Sequence, residues 1–504
     1  MSSVISICCG KLSIANIFHC HGSQALYNNK MKKETIASIT TPIGEGGIGV
    51  IQVSGPDSLE IVNAVFKGKK LKDLKNAESK RLYYGDIYSN GSPVDEVIIN
   101  VLREQDSFTG EDLVEVNCHG GILAVKKTLE CVVTAGAKEV HWEELAGRPL
   151  INSKIDRIQE EALLEIPKVK TKLGVKVLLD QYNGALSSFI QKTVTLVEKC
   201  DKNREQLCDN KSSRNRDNRL SFDSPSVPSR AGAQDDVTLS EVEVLSTLNS
   251  ICIKLREIVA TASFGCAITS PQKLIITGKP NAGKSTLINA LLKEDRLITH
   301  EEPGTTRDAI DEMISINGMP LTIIDTAGIR ETDHEVERLG VLESKKQLRQ
   351  ADKIIIVFDN SKPVEKEDKE LIGFIDTLEL HKTDNPDNKI SVLPVLNKAD
   401  LPGKLNMQTL VGKTFEPICQ VSALNGDGLS TLEERLISEF KEFTNYTPER
   451  PIIFTRRQQE YISKALNILT QSIQLANEAK DYSPLLNEIK QNLLNCIDDS
   501  KARH

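Results

Sequence analysis

Short β-branched runs bounded by Gly, Pro or Asn recur along residues 34–145: IASIT, IGVIQVSG, VDEVIINVL and DLVEVNCHGG. Such runs predict strands. Between them Leu59–Phe66 and Ile122–Ala135 carry helical spacing. The mixture predicts a compact α+β domain over residues 34–150. From Asn152 the period changes. Ile155, Ile158, Ala162, Leu163 and Ile166 recur at helical spacing, helical patterns continue to Cys200, and they resume over Val242–Ala262. The stretch between, about 201–236, is polar and nearly free of large apolar residues, so it is expected to be a disordered insertion. Residues 269–440 alternate apolar strands (LIIT, LTIID, KIIIVFD, ISVLPVLN) with amphipathic helices. That alternation predicts an α/β domain on a mainly parallel sheet. Helical periodicity returns from Arg456 to Ile497. The pattern is a multidomain α/β chain in which the helical segments 151–268 and 441–504 pack together and carry the α/β domain as an insertion.

Composition changes this picture little. The chain has 504 residues, 39% hydrophobic and 27% charged, as in ordinary globular proteins. No apolar run approaches the ~18 residues of a membrane span, so no membrane segment is expected. The net charge of −8 rules out a protein-wide basic footprint for nucleic acid, though not a local one. Eleven cysteines lack any CxxC pair or zinc-type His/Cys spacing, so they read as reduced thiols. Residues 1–33 form an extension unlike the rest, and Met31 is the expected start of translation. The segment before Met31 contains no arginine, unlike a transit peptide. A bacterial cytoplasmic location is expected, with a mitochondrial one as the alternative.

The chemistry is concentrated in the α/β domain. Gly278-Lys-Pro-Asn-Ala-Gly283-Lys284-Ser285 fits G-x-x-x-x-G-K-[ST], after the strand Leu274–Thr277 and before the helical STLINALL. Glycines there let backbone N–H groups wrap phosphates, and the helix N-terminus favours anions. Lys284 would reach the β- and γ-phosphates, and Ser285 would ligate Mg2+. Pro303-Gly304-Thr305-Thr306-Arg307-Asp308 offers a second Mg2+ hydroxyl, Thr306. Asp325-Thr326-Ala327-Gly328 adds a carboxylate behind the metal and a flexible glycine near the γ-phosphate. In Asn397-Lys398-Ala399-Asp400 the aspartate can accept from guanine N1 and N2, which selects GTP. Ser422-Ala423-Leu424 closes the base pocket by backbone contact. Five such elements in order predict a GTPase. Where many GTPases place a water-orienting Gln after the DxxG glycine, this chain has Ile329 and Arg330, followed by Glu331, Asp333, Glu335 and Glu337.

GKPNAGKSTLINAL, EPGTTRDAI, IDTAGIRETDHEVERLG and NKAD resemble the GTPase domain of the tRNA modification GTPase family (MnmE, also TrmE or ThdF). So do ETIASITTPIGEGGIGVIQVSG, SFTGEDLVEVNCHGG, LINSKIDRIQEEA and FTRRQQEYISKAL outside that domain. The resemblance implies an N-terminal domain that dimerises and binds 5-formyltetrahydrofolate, a helical domain, and a GTPase domain requiring Mg2+ and K+. It implies K+ ligands at Asn281, Thr305 and the backbone carbonyls of His300 and Glu302. It makes Glu337 the residue that orients the hydrolytic water and Arg307 a switch residue in turnover. The implied nucleotide contacts span Asn281, Ala282, Gly283, Lys284, Ser285 and Thr286, then His300, Glu301, Glu302, Pro303, Gly304, Thr305 and Thr306, together with the DTAG, NKAD and Ser422-Ala423 residues above. The implied activity, with a flavin-dependent subunit of the MnmG (GidA) type, is addition of an aminomethyl or carboxymethylaminomethyl group to C5 of the wobble uridine of certain tRNAs.

The chain also departs from that pattern. Gln52 stands at the folate-site arginine, while Glu115 and Lys154 match. His141-Trp142-Glu143-Glu144-Leu145 replaces the family's PGEF-type turn. The end CIDDSKARH lacks the family's terminal Cys-x-Gly-Lys, so Cys496 reads as a core helix thiol and the last part of the helical domain as truncated. Two function classes stay open: the GTPase subunit of a tRNA-modifying enzyme, and a regulatory or ribosome/RNA-assembly GTPase that has lost the folate chemistry.

Overall fold

The computed structural model describes residues 34–217, 241–292, 297–298, 312–324, 348, 350–381, 390–405, 418–478 and 480–498. Its contacts divide the chain into two compact units: Met1–Glu160 with Ile497–His504, and Glu161–Cys496.

In the first unit a seven-stranded sheet runs in the order β3-β4-β5-β6-β2-β1-β7. Its strands are β1 Ile36–Ile39, β2 Ile48–Ser54, β3 Phe66–Gly68, β4 Arg81–Ser89, β5 Ser92–Leu102, β6 Leu113–His119 and β7 Lys138–Glu139. Alternation gives the sheet two unlike faces. Ile51, Val53, Val97, Ile99, Val101, Val114 and Val116 are buried beneath helices α1 (Ser58–Val65) and α2 (Ile122–Thr134). The intervening Gln52, Asn100 and Glu115 stand on the other face at paired register positions. The sequence reading missed β4. Its signal was Asn90-Gly91, both at positive φ (49° and 82°), the hairpin turn that joins β4 to β5.

The second unit holds the sheet β14-β13-β12-β8-β11-β10-β9. The strands are β8 Gln272–Gly278, β9 Leu297–Ile298, β10 Glu312–Ile316, β11 Met319–Ile323, β12 Lys353–Asp359, β13 Ser391–Asn397 and β14 Cys419–Gln420. The five from β11 to β14 through β8 are parallel, and β9 and β10 are antiparallel additions. Leu274, Ile276, Ile355 and Val357 face one core, and Ile275, Ile354, Ile356 and Phe358 face another. Helices on both faces account for those continuous apolar runs.

The helices before the sheet are α3 (Arg157–Glu165), α4 (Lys172–Tyr182), α5 (Ala185–Asp217), α6 (Glu241–Val259) and α7 (Ala262–Thr269). Within or beside it lie α8 (Lys284–Leu291), α9 (Lys366–His381) and α10 (Leu429–Leu436), and after it α11 (Arg456–Asn477) and α12 (Ser483–Ile497). Helix α6 packs on α5 and α11. Val177, Phe264, Ala267 and Ile268 join the same core as Leu274 and Leu287, which is why the nucleotide-binding and helical parts fall within one unit. The break between units falls at Glu160/Glu161. Helix α5 runs to Asp217, into the segment expected to be disordered. Its continuation past Cys200 is anchored where Asn203 is buried and Arg204 pairs with Asp481 (2.5 Å) and covers the Tyr482 ring (4.5 Å). Residues 218–236 of that segment, and 1–33, lie outside the described residues. No helix among the described residues is long and apolar enough to cross a membrane.

Candidate functional site

Strand β8 ends at Gly278 and helix α8 begins at Lys284, so the chain turns between them within five residues. Gly278 takes φ +148°, and a Cβ there would run into the Val357 carbonyl of the next strand. Gly283 takes φ +92°, and its missing Cβ leaves room for the Asn397 amide. Only glycine tolerates both demands. Asn281 sits between them at φ +60°, a left-handed position that asparagine accepts better than most residues.

The Lys284 Nζ donates to the Gly278 and Lys279 carbonyls (2.9 and 2.8 Å), and burial lowers its pKa. A half-buried ammonium curled over the loop is poised to exchange two carbonyls for phosphate oxygens. Ser285 and Thr286 are exposed at the start of α8. The Ser285 hydroxyl, a hard oxygen donor at a helix N-terminus beside the phosphate turn, suits Mg2+.

The base-reading side is built from the ends of β13 and β14. The Asn397 Nδ2 donates to the Ala282 carbonyl (3.0 Å), and its Oδ1 accepts from the Ala423 N–H (3.0 Å). The Ala399 N–H donates to the Val421 carbonyl (3.0 Å). Asp400 accepts from the Ser422 hydroxyl (2.6 Å) and is itself exposed, leaving carboxylate lone pairs for a base edge. Thus Asn281, Ala282, Gly283, Lys284, Asn397, Lys398, Ala399, Asp400, Ser422 and Ala423 are brought together at the ends of β8, β13 and β14.

Several neighbours were not foreseen. Asp359, at the end of β12, accepts from Lys398 Nζ (2.6 Å), and the same Nζ donates to the Asn281 carbonyl (2.9 Å). Burial opposes ionisation of Asp359, but bonds from Lys398 and Ser361 outweigh it and hold its pKa below the ordinary value. Lys279 is paired with Glu365 (2.6 Å) and Asp368 (2.7 Å) at the start of α9. An acidic residue closing an apolar strand was the available signal for Asp359.

In the N-terminal unit the structure joins Gln52 to Glu115, with the Gln52 Nε2 donating at 2.8 Å. The other carboxylate oxygen accepts from Asn100 Nδ2 (3.0 Å), a partner that sequence reading missed. Lys154 is exposed and lies over Gly110. His300, Glu301, Glu302, Pro303, Gly304, Thr305, Thr306, Arg307, Asp325, Thr326, Ala327, Gly328 and Glu337 lie outside the described residues. Among the described residues no cluster of three His, Cys, Asp or Glu side chains is arranged for a metal. Cys496 is fully buried, as a core thiol.

Comparison with known proteins agrees with this geometry. Residues 35–154 match the family described as GTP-binding protein TrmE N-terminus, and residues 273–398 match that of the 50S ribosome-binding GTPase. The chain is 36% identical over 443 residues to the tRNA modification GTPase MnmE of Carboxydothermus hydrogenoformans, covering 87% of this chain and 89% of that one. It is 34% identical over 444 residues to the protein of the same name from Alkaliphilus metalliredigens (88% and 89% covered). It is 35% identical over 435 residues to that from Thermoanaerobacter pseudethanolicus (86% and 87%).

Proposed function

This chain belongs to the MnmE family of tRNA modification GTPases, and we propose that it drives alkylation at C5 of the wobble uridine in certain tRNAs, together with a flavin-dependent MnmG-type subunit. It is a GTP hydrolase. The observation that carries the nucleotide choice is the Asn397 amide, which fastens the Ala282 turn to Ala423 while Asp400 beside it stays exposed. Guanine N1–H and N2–H2 both donate to one carboxylate, whereas adenine offers that carboxylate no such pair.

In this reading Ser285 and Thr306 would hold Mg2+, which would supply positive charge to the phosphates. Asn281, Thr305 and the carbonyls of His300 and Glu302 would hold K+, which would supply further positive charge for phosphoryl transfer. Glu337 orients the attacking water and Arg307 assists turnover. The Gln52–Glu115 pair supports a site for 5-formyltetrahydrofolate: a carboxylate fixed by two amides, on a sheet face with exposed Ile98 (44%) and Leu82 (65%), suits a flat ring with N–H donors on one edge. Lys154 would meet an anionic part of the same ligand. Dimerisation through the N-terminal unit belongs to this reading.

The test is hydrolysis of GTP by the full chain in K+ and in Na+, with Glu337→Ala alongside. Faster turnover in K+, and a variant that binds GTP but hydrolyses it about 10²-fold more slowly, are expected. Equal rates in the two salts would sink the potassium site, and unchanged turnover in the variant would return Glu337 to a surface charge.

A further inference from the structure

We propose that Asp359 is a positioning residue for the phosphate loop: acting through Lys398, it holds the Asn281 carbonyl and so fixes the left-handed turn at the loop's crest.

The chain of contacts is short and directional. Asp359 is 5% exposed at the C-terminal end of β12, opposite Asn397 in the parallel register of β13. Its Oδ1 accepts from the Ser361 N–H (3.0 Å) and hydroxyl (2.5 Å), which leaves Oδ2 facing Lys398 Nζ at 2.6 Å. Lys398, itself at φ +64°, then donates to the Asn281 carbonyl at 2.9 Å. A lysine ammonium on a flexible stem gives a weakly defined position by itself. A buried carboxylate with one oxygen already committed removes that freedom, because moving the ammonium away would strand a buried charge. The Asn281 carbonyl is therefore held by a pre-set donor instead of a mobile one, and the φ of +60° at Asn281, costly for a side-chain-bearing residue, is retained. The peptide plane that carries this carbonyl also carries the Ala282 N–H. Fixing one atom of that plane fixes the other, so the Ala282 N–H keeps its bond to the Lys279 carbonyl (3.3 Å) across the loop.

Asp359 acts through Lys398 on the loop, so its direct effect is on nucleotide retention. It also bears on potassium, and that part rests on the proposed role of Asn281: a turn that wanders places its side chain wrongly for the ion.

The experiment uses the full chain with Asp359→Asn, Lys398→Met, the double variant, and Ser361→Ala as a milder change to the same carboxylate. Thermal unfolding establishes that each is folded. The readouts are the dissociation rate of a fluorescent GDP analogue and the K+ concentration giving half-maximal hydrolysis. Asp359→Asn is expected to speed GDP release about 10-fold or more, the scale of one charge-assisted hydrogen bond, and to raise the half-activating K+ several-fold with little change in kcat at saturating K+. In the Lys398→Met background Asp359→Asn should add nothing to GDP release, since its only route is gone. Ser361→Ala should shift release in the same direction by less, and it carries the test should Asp359→Asn not fold. Wild-type GDP release in a folded Asp359→Asn, a full additional effect in the double variant, or no shift in Ser361→Ala when only that variant folds, overturns the proposal. Wild-type protein that hydrolyses GTP equally in K+ and Na+ removes the potassium reading alone, and the GDP-release arm still decides the role of Asp359.

Discussion

The Asn397 side-chain amide donates to the Ala282 carbonyl at 3.0 Å, so one buried side chain fastens the phosphate loop to the base-reading loop that follows β13. Its oxygen accepts from the Ala423 N–H at the same distance. Replacing Asn397 with alanine leaves both backbone groups without a partner. At ~1–3 kcal/mol for each buried group left unsatisfied, GTP affinity should fall about 10²-fold or more. Nucleotide titration of the variant measures this directly, and affinity within twofold of wild type would show that the two loops hold themselves.

Base choice should turn on a single carboxylate. In Asp400→Asn the acceptor pair becomes one acceptor and one donor, so guanine loses a partner while a base with a carbonyl at C2 gains one. Competition between GTP and xanthosine triphosphate should shift toward the latter by about 10²-fold, within the range seen when a polar pocket meets a mismatched partner. An unchanged preference for GTP would mean that Asp400 does not read the base.

Stability of the N-terminal unit should hinge on Arg148. It is fully buried, paired with Glu111 (3.0 Å) and bonded to the Glu34 carbonyl (2.7 Å). Arg148→Ala leaves the half-buried Glu111 with the Ser54 hydroxyl (3.1 Å) but without its cation, and should cost about 3–5 kcal/mol, as when one partner of a buried pair is removed. Trp142, the sole tryptophan, lies in the same unit six residues away, so its fluorescence during denaturant unfolding reports the change. A loss below about 1 kcal/mol would put Arg148 among ordinary surface pairs.

A pH effect is expected at His119. The Asp95 carboxylate, 2.6 Å from Nδ1, raises the His119 pKa above its ordinary 6.5. A raised folded-state pKa means the pair's contribution is complete below the unfolded-state value and fades as pH rises through the folded-state one. His119→Ala should therefore lower Tm at pH 5.5 and leave it unchanged at pH 9. An equal loss at both pH values would show that the ring acts by packing and not by charge.

Much of this arrangement was legible because its physics is local. The phosphate turn needs two glycines and a lysine within eight residues, Gly278–Ser285, and the strands beside it are continuous apolar runs. What escaped reading depends on contacts between distant segments. Asp359 looks like a polar strand end until β12 and β13 are set side by side and Lys398 reaches it. Asn100 alternates with Ile99 and Val101 as any half-buried strand would. Its role emerges only when β5 and β6 align it with Glu115. The end of α5 was misjudged because composition was read without the anchoring of Arg204 on Asp481 and Tyr482, which lie far along the chain.

The most direct measurement is nucleoside analysis of tRNA from a bacterial strain lacking its own modification GTPase, complemented with this chain or with its Lys284→Ala variant. The expected result is restoration of the C5-substituted wobble uridine by the wild-type chain and none by the variant. An unmodified uridine in cells whose extracted protein still hydrolyses GTP would contradict the tRNA-modifying role and leave a GTPase of another purpose.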